Sequence, residues 1–309
     1  MREFFTVLAA KCLACFLLPL LLCCSCNSKS DKLSICFTGD VLLDRGVRKK
    51  IERNGISSIF NNVKPLFQTS DAVVINLECP ATNRISPLNK KYIFRAEKEW
   101  LPVLRQQGIT HAAMANNHIM DQGRDGITDT YTNLIEANIM PIGYGDNQTE
   151  ACKPCLIEKN KIKVALFNSL LLPVENWVCL EQEKGICQAS IEQLCDIVKA
   201  FKNDNPECWV VVMLHWGVEF QKNPTLLQRK NAYRLVDAGA DAIIGHHPHV
   251  IQNEEMYKGK PIFYSLGNFV FDQKGEDRST GLAVNLIFNE LEMSVEKRIV
   301  KIKNNQPTL

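Results

Sequence analysis

The chain predicts an α/β fold, and three observations carry that prediction. Short β-branched apolar runs alternate with longer segments of helical spacing. Most of the runs are continuously apolar, as in strands covered on both faces. Polar loops rich in His, Asp, Asn and Glu follow those runs directly, where open α/β sheets place their ligand loops.

The strand-like runs cover residues 33–38, 72–76, 109–115, 161–168, 208–214, 241–245 and 260–265. Between them, residues 97–107, 126–137, 190–202 and 225–238 have the length and periodicity of helices. Gly108 and Gly239 stand where the left-handed residue after a helix end is expected. Two late apolar segments, 281–288 and 293–303, have no helix between them, which predicts antiparallel pairing at a sheet edge. No internal repeat is present.

Composition bounds the function. The 309 residues are 46% hydrophobic, and 36 Lys and Arg against 34 Asp and Glu leave a net charge of +2. These values exclude a disordered chain and a nucleic-acid binder acting through bulk positive charge, so no nucleic-acid partner is expected. The apolar stretch 13–24 is shorter than the roughly 20 residues that span a bilayer and is expected to be a secretory core. Its end, Leu21-Leu22-Cys23-Cys24-Ser25-Cys26, resembles a bacterial lipobox, with an ordinary signal peptide cut nearby as the plainer alternative. The expected organisation is a lipoprotein signal over 1–25, lipidated Cys26 with a polar tether over 26–32, and one domain over 33–309. That places the domain outside the cytoplasm, held at the cell envelope by a lipid anchor.

Eight of the 13 cysteines lie beyond Cys26: Cys36, Cys79, Cys152, Cys155, Cys179, Cys187, Cys195 and Cys208. An even number can pair in an oxidising compartment, but spacing does not give connectivity. Cys152-Lys153-Pro154-Cys155 is a lone C-x-x-C, which favours a loop disulfide or free thiols over zinc or redox chemistry.

The chemistry sits in the loops. Asp40, Glu78, Asn117 with His118, His215 with Glu219, and His246, His247 and His249 each follow an apolar run, and only His111 among the six histidines lies inside a strand-like run. Carboxylates, an amide oxygen and imidazoles suit divalent Mn, Zn or Fe, and the set is large enough for two ions about 3.5–4 Å apart. If residues 246–249 are extended, alternation turns His247 and His249 to one side and His246 to the other, with Pro248 keeping the segment out of a central ladder. Metals there would lower the pKa of a bound water and supply hydroxide near neutral pH.

The ordered motifs Gly39-Asp40, Asn76-Leu77-Glu78, Asn116-Asn117-His118 with Asp121 and Gly123, His215-Trp216-Gly217-Val218-Glu219, Gly245-His246-His247-Pro248-His249-Val250 and Ser265-Leu266-Gly267-Asn268-Phe269 resemble the bacterial capsule-synthesis CapA family, associated with poly-γ-glutamate. The likeness spans residues 33–272 and implies a four-layer αββα sandwich of calcineurin-like metallophosphatase type. It implies Asp40, Glu78 as bridge, Asn117, His215, His247 and His249 as metal ligands, and His118 as the group that stabilises charge on the substrate. Leu42 stands where wider metallophosphatases carry His, Glu78 replaces Asp and His246 replaces Gly, which leaves the metal number open.

Other residues carry two readings each. Glu219 is a candidate substrate-facing carboxylate or general acid, or else a surface residue after the strand, and Arg45 a candidate anion-binding residue or half of an Asp44–Arg45 helix-start pair. Asn268 is a candidate hydrogen-bonding residue at the rim, while Asp121 and Gly123 are expected to shape the loop after His118. Trp216 and Phe269 are expected to pack. Two functions follow: a lipid-anchored, metal-dependent hydrolase of a phosphoester or of a polymer amide or ester, or a non-catalytic accessory that binds or exports an anionic extracellular polymer alongside capsule-synthesis membrane proteins.

Overall fold

A computed structural model describes residues 32–173 and 181–309. The expected export signal, Cys26 and the tether up to Asp31 lie outside the described residues, as does Cys179. Among the described residues no helix is long and apolar enough to cross a membrane.

The apolar runs form strands β1 (Leu33–Val41), β2 (Ala72–Leu77), β3 (His111–Ala113), β4 (Met140–Ile142), β5 (Tyr144–Gly145), β6 (Cys155–Lys159), β7 (Ile162–Leu170), β8 (Gly185–Ile186), β9 (Trp209–His215), β10 (Ala242–His246), β11 (Glu254–Tyr257), β12 (Lys260–Phe263), β13 (Asn268–Val270), β14 (Thr280–Phe288), β15 (Met293–Lys303) and β16 (Gln306–Thr308). The helices are α1 (Arg45–Asn54), α2 (Ser57–Phe60), α3 (Lys64–Gln68), α4 (Leu101–Gln106), α5 (Gly123–Glu136), α6 (Gln148–Ala151), α7 (Ile191–Asp204) and α8 (Leu226–Asp237).

One sheet runs β16-β15-β14-β1-β2-β3-β4, with β13 also paired to β1, and the other runs β11-β12-β10-β9-β7-β6. β1 through β4 are parallel to one another, as are β7, β9, β10 and β12. β14 and β15 pair antiparallel beside β1, as the missing helix between them predicts.

Alternating side chains divide the interior into three apolar layers. Ile35, Phe37 and Val74 of the first sheet meet Val164, Val211, Met213 and Ile244 of the second. The opposite face of the first sheet, with Val73 and Ile75, packs on Val47 and Ile51 of α1 and Ile127 and Leu134 of α5. The opposite face of the second, with Val210, Val212 and Ile243, packs on Leu194 and Val198 of α7 and Ala232 and Leu235 of α8. Helix, sheet, sheet, helix is the four-layer order that the resemblance implies.

Local chemistry explains the helix bounds. Ser190 with Gln193 and Thr225 with Gln228 form reciprocal capping boxes on α7 and α8. Gly108 and Gly239 take positive φ after α4 and α8, as expected. α1 to α3 escape the periodicity reading because they are short or carry a thin stripe: α1 buries only Val47 and Ile51. β6 escapes it because only one face of an edge strand is covered, giving half-buried and exposed residues in turn.

Cys152 pairs with Cys187, so the C-x-x-C is not closed on itself and Cys155 stays a thiol. Cys36 is a buried thiol whose pKa burial pushes up to about 12, which keeps it inert as a ligand or nucleophile.

Candidate metal centre

Asp40 reaches the site because β1 bends against β13. Its N–H donates to the Gly267 carbonyl at 2.9 Å, and a Cβ on Gly39 would stand 2.1 Å from that oxygen, so glycine is required before the aspartate. The Asn76 amide donates to Asp40 Oδ1 at 2.8 Å, and Asp40 Oδ2 lies 3.1 Å from His249 Nδ1. Glu78 follows β2, fixed by its N–H to the Val41 carbonyl at 2.9 Å. Both its carboxylate oxygens are buried without a hydrogen-bond partner, and Oε1 is 3.5 Å from His249 Nε2. One ligand atom each from Asp40, Glu78 and His249 lies within 4.8 Å of the others.

The second group is amide and imidazole. His215 ends β9 with Nε2 2.9 Å from Asn117 Oδ1, and its ring centroid is 4.9 Å from that of His247. His247 Nδ1 is buried with no hydrogen-bond partner. The segment carrying His247 and His249 is not extended, which corrects the alternation expectation. Both residues take positive φ, 96° and 58°, so a left-handed turn after β10 presents them. His246 does turn away, with Nε2 3.0 Å from the Thr38 carbonyl.

His118 borders the adjoining cleft. Its Nδ1 lies 2.8 Å from Asp121 Oδ2, and that carboxylate also accepts from Lys90 Nζ at 2.6 Å and the Phe94 N–H at 2.8 Å. Lys90 donates in addition to the Asn117 carbonyl at 2.7 Å, tying down the loop that carries both residues. Asp121 thus holds the His118 ring as well as its loop. Lys90 gives no signal in the sequence.

Burial and charge set the protonation states. Glu78 is raised well above the usual carboxylate range by burial, opposed by the His249 charge and reinforced by Asp40, Glu219 and Asp121. Burial also acts on Asp40, but the His249 hydrogen bond and charge, the His246 charge and the Asn76 amide bring its carboxyl below that range. Burial would lower His249, yet Glu78 and Asp40 raise it to about 9. Burial and then neighbouring histidines hold His215 well below its ordinary value, and burial with the His249 charge brings His247 down to about 3.

A cleft of about 330 Å³ adjoins His118 and His249, with Glu219 and Phe220 on its border and Arg45 and Arg278 at its edge. Arg45 does not pair with Asp44: its guanidinium forms an ion pair with Asp272, with Nε 3.1 Å from Oδ2. Asp44 instead accepts the Arg45 N–H at 2.7 Å and pairs with Arg48 at 2.9 Å, because its carboxylate is committed to capping α1. Asn268 does not reach the rim. It is fully buried, its Oδ1 2.9 Å from His249 Nδ1 and its amide donating to Gln273 and the Arg278 carbonyl. Trp216 packs, its indole N–H donating to the Tyr264 carbonyl at 2.9 Å, and Phe269 is buried.

A family model described as bacterial capsule synthesis protein PGA_cap matches residues 34–273. The PGA biosynthesis protein CapA of Bacillus subtilis (strain 168) is 37% identical over 246 residues, covering 79% of this chain and 64% of that protein. The capsule biosynthesis protein CapA of Bacillus anthracis is 33% identical over 254 residues, covering 80% and 62%. The chain therefore spans a little under two thirds of the length of these relatives. A 5′-nucleotidase precursor from Thermus thermophilus superposes with a TM-score of 0.53 at 12% identity, covering 89% of this chain and 56% of that one. A putative 5′-nucleotidase from Staphylococcus aureus gives 0.51 at 14%, covering 88% and 54%. At those identities the likeness concerns the fold, which is of calcineurin-like metallophosphatase type. With the motifs, the family match and the two CapA relatives in agreement, this chain belongs to the bacterial capsule synthesis protein family PGA_cap.

Proposed function

We propose that this chain acts in capsule or poly-γ-glutamate synthesis at the bacterial envelope, as a hydrolase dependent on divalent metal. The observation that carries the proposal is Glu78: a buried carboxylate with neither oxygen hydrogen-bonded, beside Asp40 and facing His249. Leaving such a group unpaired costs about 1–3 kcal/mol or more, and a cation removes that cost. His247 Nδ1 is unpartnered in the same way, so the donors fit a metal. Asp40, Glu78 and His249 would hold one ion, and Asn117, His215 and His247 would be available to a second. A bound Mn, Zn or Fe ion supplies Lewis acidity and makes water acidic enough to ionise near neutral pH.

The chain's own residues do the rest. His118 lines the cleft with Nδ1 engaged by Asp121, which leaves Nε2 as the nitrogen available to substrate; burial favours the neutral ring, and once protonated Nε2 would donate to a substrate oxygen as charge develops there. Glu219, exposed on the border of the same cleft, is the candidate acid that would protonate a leaving group. Asn268 holds the His249 ring through Nδ1 and leaves Nε2 directed toward Glu78. The substrate is a phosphoester, or an amide or ester of an anionic extracellular polymer, and export with lipidation at Cys26 would retain the domain beside capsule-synthesis membrane proteins.

The test uses the purified full chain in detergent, assayed on an aryl phosphate and on poly-γ-glutamate before and after chelation. Turnover lost on chelation, restored by Mn²⁺ or Zn²⁺ and absent from His215→Ala supports the hydrolase. Metal uptake with no turnover of either substrate would replace it with a polymer-binding accessory. Labelling with fatty acid that disappears in Cys26→Ser tests the anchor separately.

A further inference from the structure

The cleft beside the metal centre carries a cation that nothing in the described residues neutralises. Arg45 is occupied by Asp272, whereas Arg278, in the short turn Asp277–Ser279, has no ion pair and its guanidinium makes no hydrogen bond among those residues. That guanidinium is nonetheless held in place. Its carbon sits 5.2 Å from the centroid of the Phe220 ring. Behind it the chain has glycine: a Cβ on Gly275 would stand 3.3 Å from Arg278 Nη2 and 3.5 Å from Nε.

Both supports of Arg278 lead back to the metal centre. Phe220 has a left-handed φ of 65°, and its N–H donates at 2.8 Å to the carbonyl of Pro248, between His247 and His249. The Arg278 carbonyl accepts from the Asn268 amide at 2.9 Å, and Asn268 Oδ1 lies 2.9 Å from His249 Nδ1. A guanidinium fixed against an aromatic ring keeps its N–H edge free, and that edge matches the two oxygens of a carboxylate or phosphate. A non-glycine residue at positive φ is a strained conformation, and the fold bears it where it presents the Phe220 ring.

We propose that Arg278, mounted on Phe220, is the specificity-determining residue through which this cleft reads an oxyanion group on its substrate. The proposal rests on the reading of the adjoining residues as a metal centre, and it names the feature of substrate they act beside. At about 330 Å³ the cleft is at the small end of ligand sites, so it accepts a single anionic unit, such as one terminal residue of a polymer. Arg278 lies beyond residues 34–273 matched by the family model.

The test is calorimetric titration of the Mn²⁺-loaded full chain with glutarate in one arm and inorganic phosphate in the other. The parent is expected to bind at least one, and the arm that binds identifies the carboxylate or the phosphate. Arg278→Ala should weaken that binding roughly tenfold to a hundredfold, the range for losing a charge-assisted hydrogen bond, while metal content by elemental analysis stays unchanged. Arg278→Lys should recover only part of the loss, because lysine keeps the charge without the fork. The exposed neighbour variant Lys301→Ala should bind as the parent does. An Arg278→Ala protein that binds like the parent overturns the proposal, as does a loaded parent that binds neither anion. If no substrate is ever turned over but Arg278→Ala still loses the anion, the hydrolase reading fails and this one stands.

Discussion

The first sheet delivers Asp40, Glu78 and Asn117 to the site and the second delivers His215, His247 and His249, and their surroundings treat the two sets in opposite ways. Among the carboxylates, burial and mutual repulsion raise Glu78, while the His249 charge keeps Asp40 ionised. Among the histidines, burial keeps His215 and His247 neutral with lone pairs available, and only His249, facing the carboxylates, is drawn up to about 9. Each sheet also lends one residue across the gap: His249 joins the carboxylates and Asn117 joins His215. Neither half is a ligand set alone. The site exists only when the two sheets are stacked, so ligand chemistry and fold stability are linked there.

The largest expected effect comes from breaking the carboxylate half. Asp40→Asn removes the charge that faces His249 and the His247 backbone, and turnover on a responsive substrate should fall at least ~10²-fold, about 2.7 kcal/mol of barrier, as steady-state kinetics would show. A smaller loss should come from Asn268→Ala, which frees the His249 ring without removing a ligand. Metal affinity, read by competition with a chromophoric chelator, should drop roughly tenfold to a hundredfold.

Replacing the unpartnered carboxylate separates stability from function. Glu78→Met keeps the volume and removes the two orphaned oxygens, so the metal-free protein should gain about 1–3 kcal/mol in denaturant unfolding while losing metal uptake. A variant that is less stable without metal would show that Glu78 is already compensated.

A separate effect, on stability rather than on the site, lies at His111 in β3. Burial and then the Arg105 charge lower its pKa to about 4, so between pH 6.5 and 4 the unfolded chain binds the proton more readily. Its contribution to stability is present above pH 6.5 and is lost as pH falls through that window. His111→Phe should flatten that part of the stability profile, leaving the acid response of the metal centre to be measured without it.

What can be read from the sequence follows from how far each signal extends along the chain. Strands covered on both faces announce themselves as apolar runs, so β1, β2, β7, β9 and β10 are legible with the loops that follow them. β4 and β11 are not: the first is three residues with Pro141 in the middle, and the second is an edge strand with every residue half-buried or exposed. Motif spacing names the ligand candidates, but strand alternation is the wrong reason for pairing His247 with His249, because a left-handed turn presents them. Asn268 reads as a rim residue and proves to be the buried brace of His249. Lys90 stands 27 residues before Asn117 and Arg278 ten after Asn268, and no local pattern marks a residue whose role depends on folding back onto a loop.

The central claim is that the two halves make one metal centre, and anomalous diffraction from crystals of the full chain grown with Mn²⁺ or Zn²⁺ tests it most directly. A peak bounded by Asp40, Glu78 and His249, with a second toward His215 and His247, is the expected result. Metal-supplemented crystals with no peak there, and with the Glu78 carboxylate hydrogen-bonded to protein, would contradict the account.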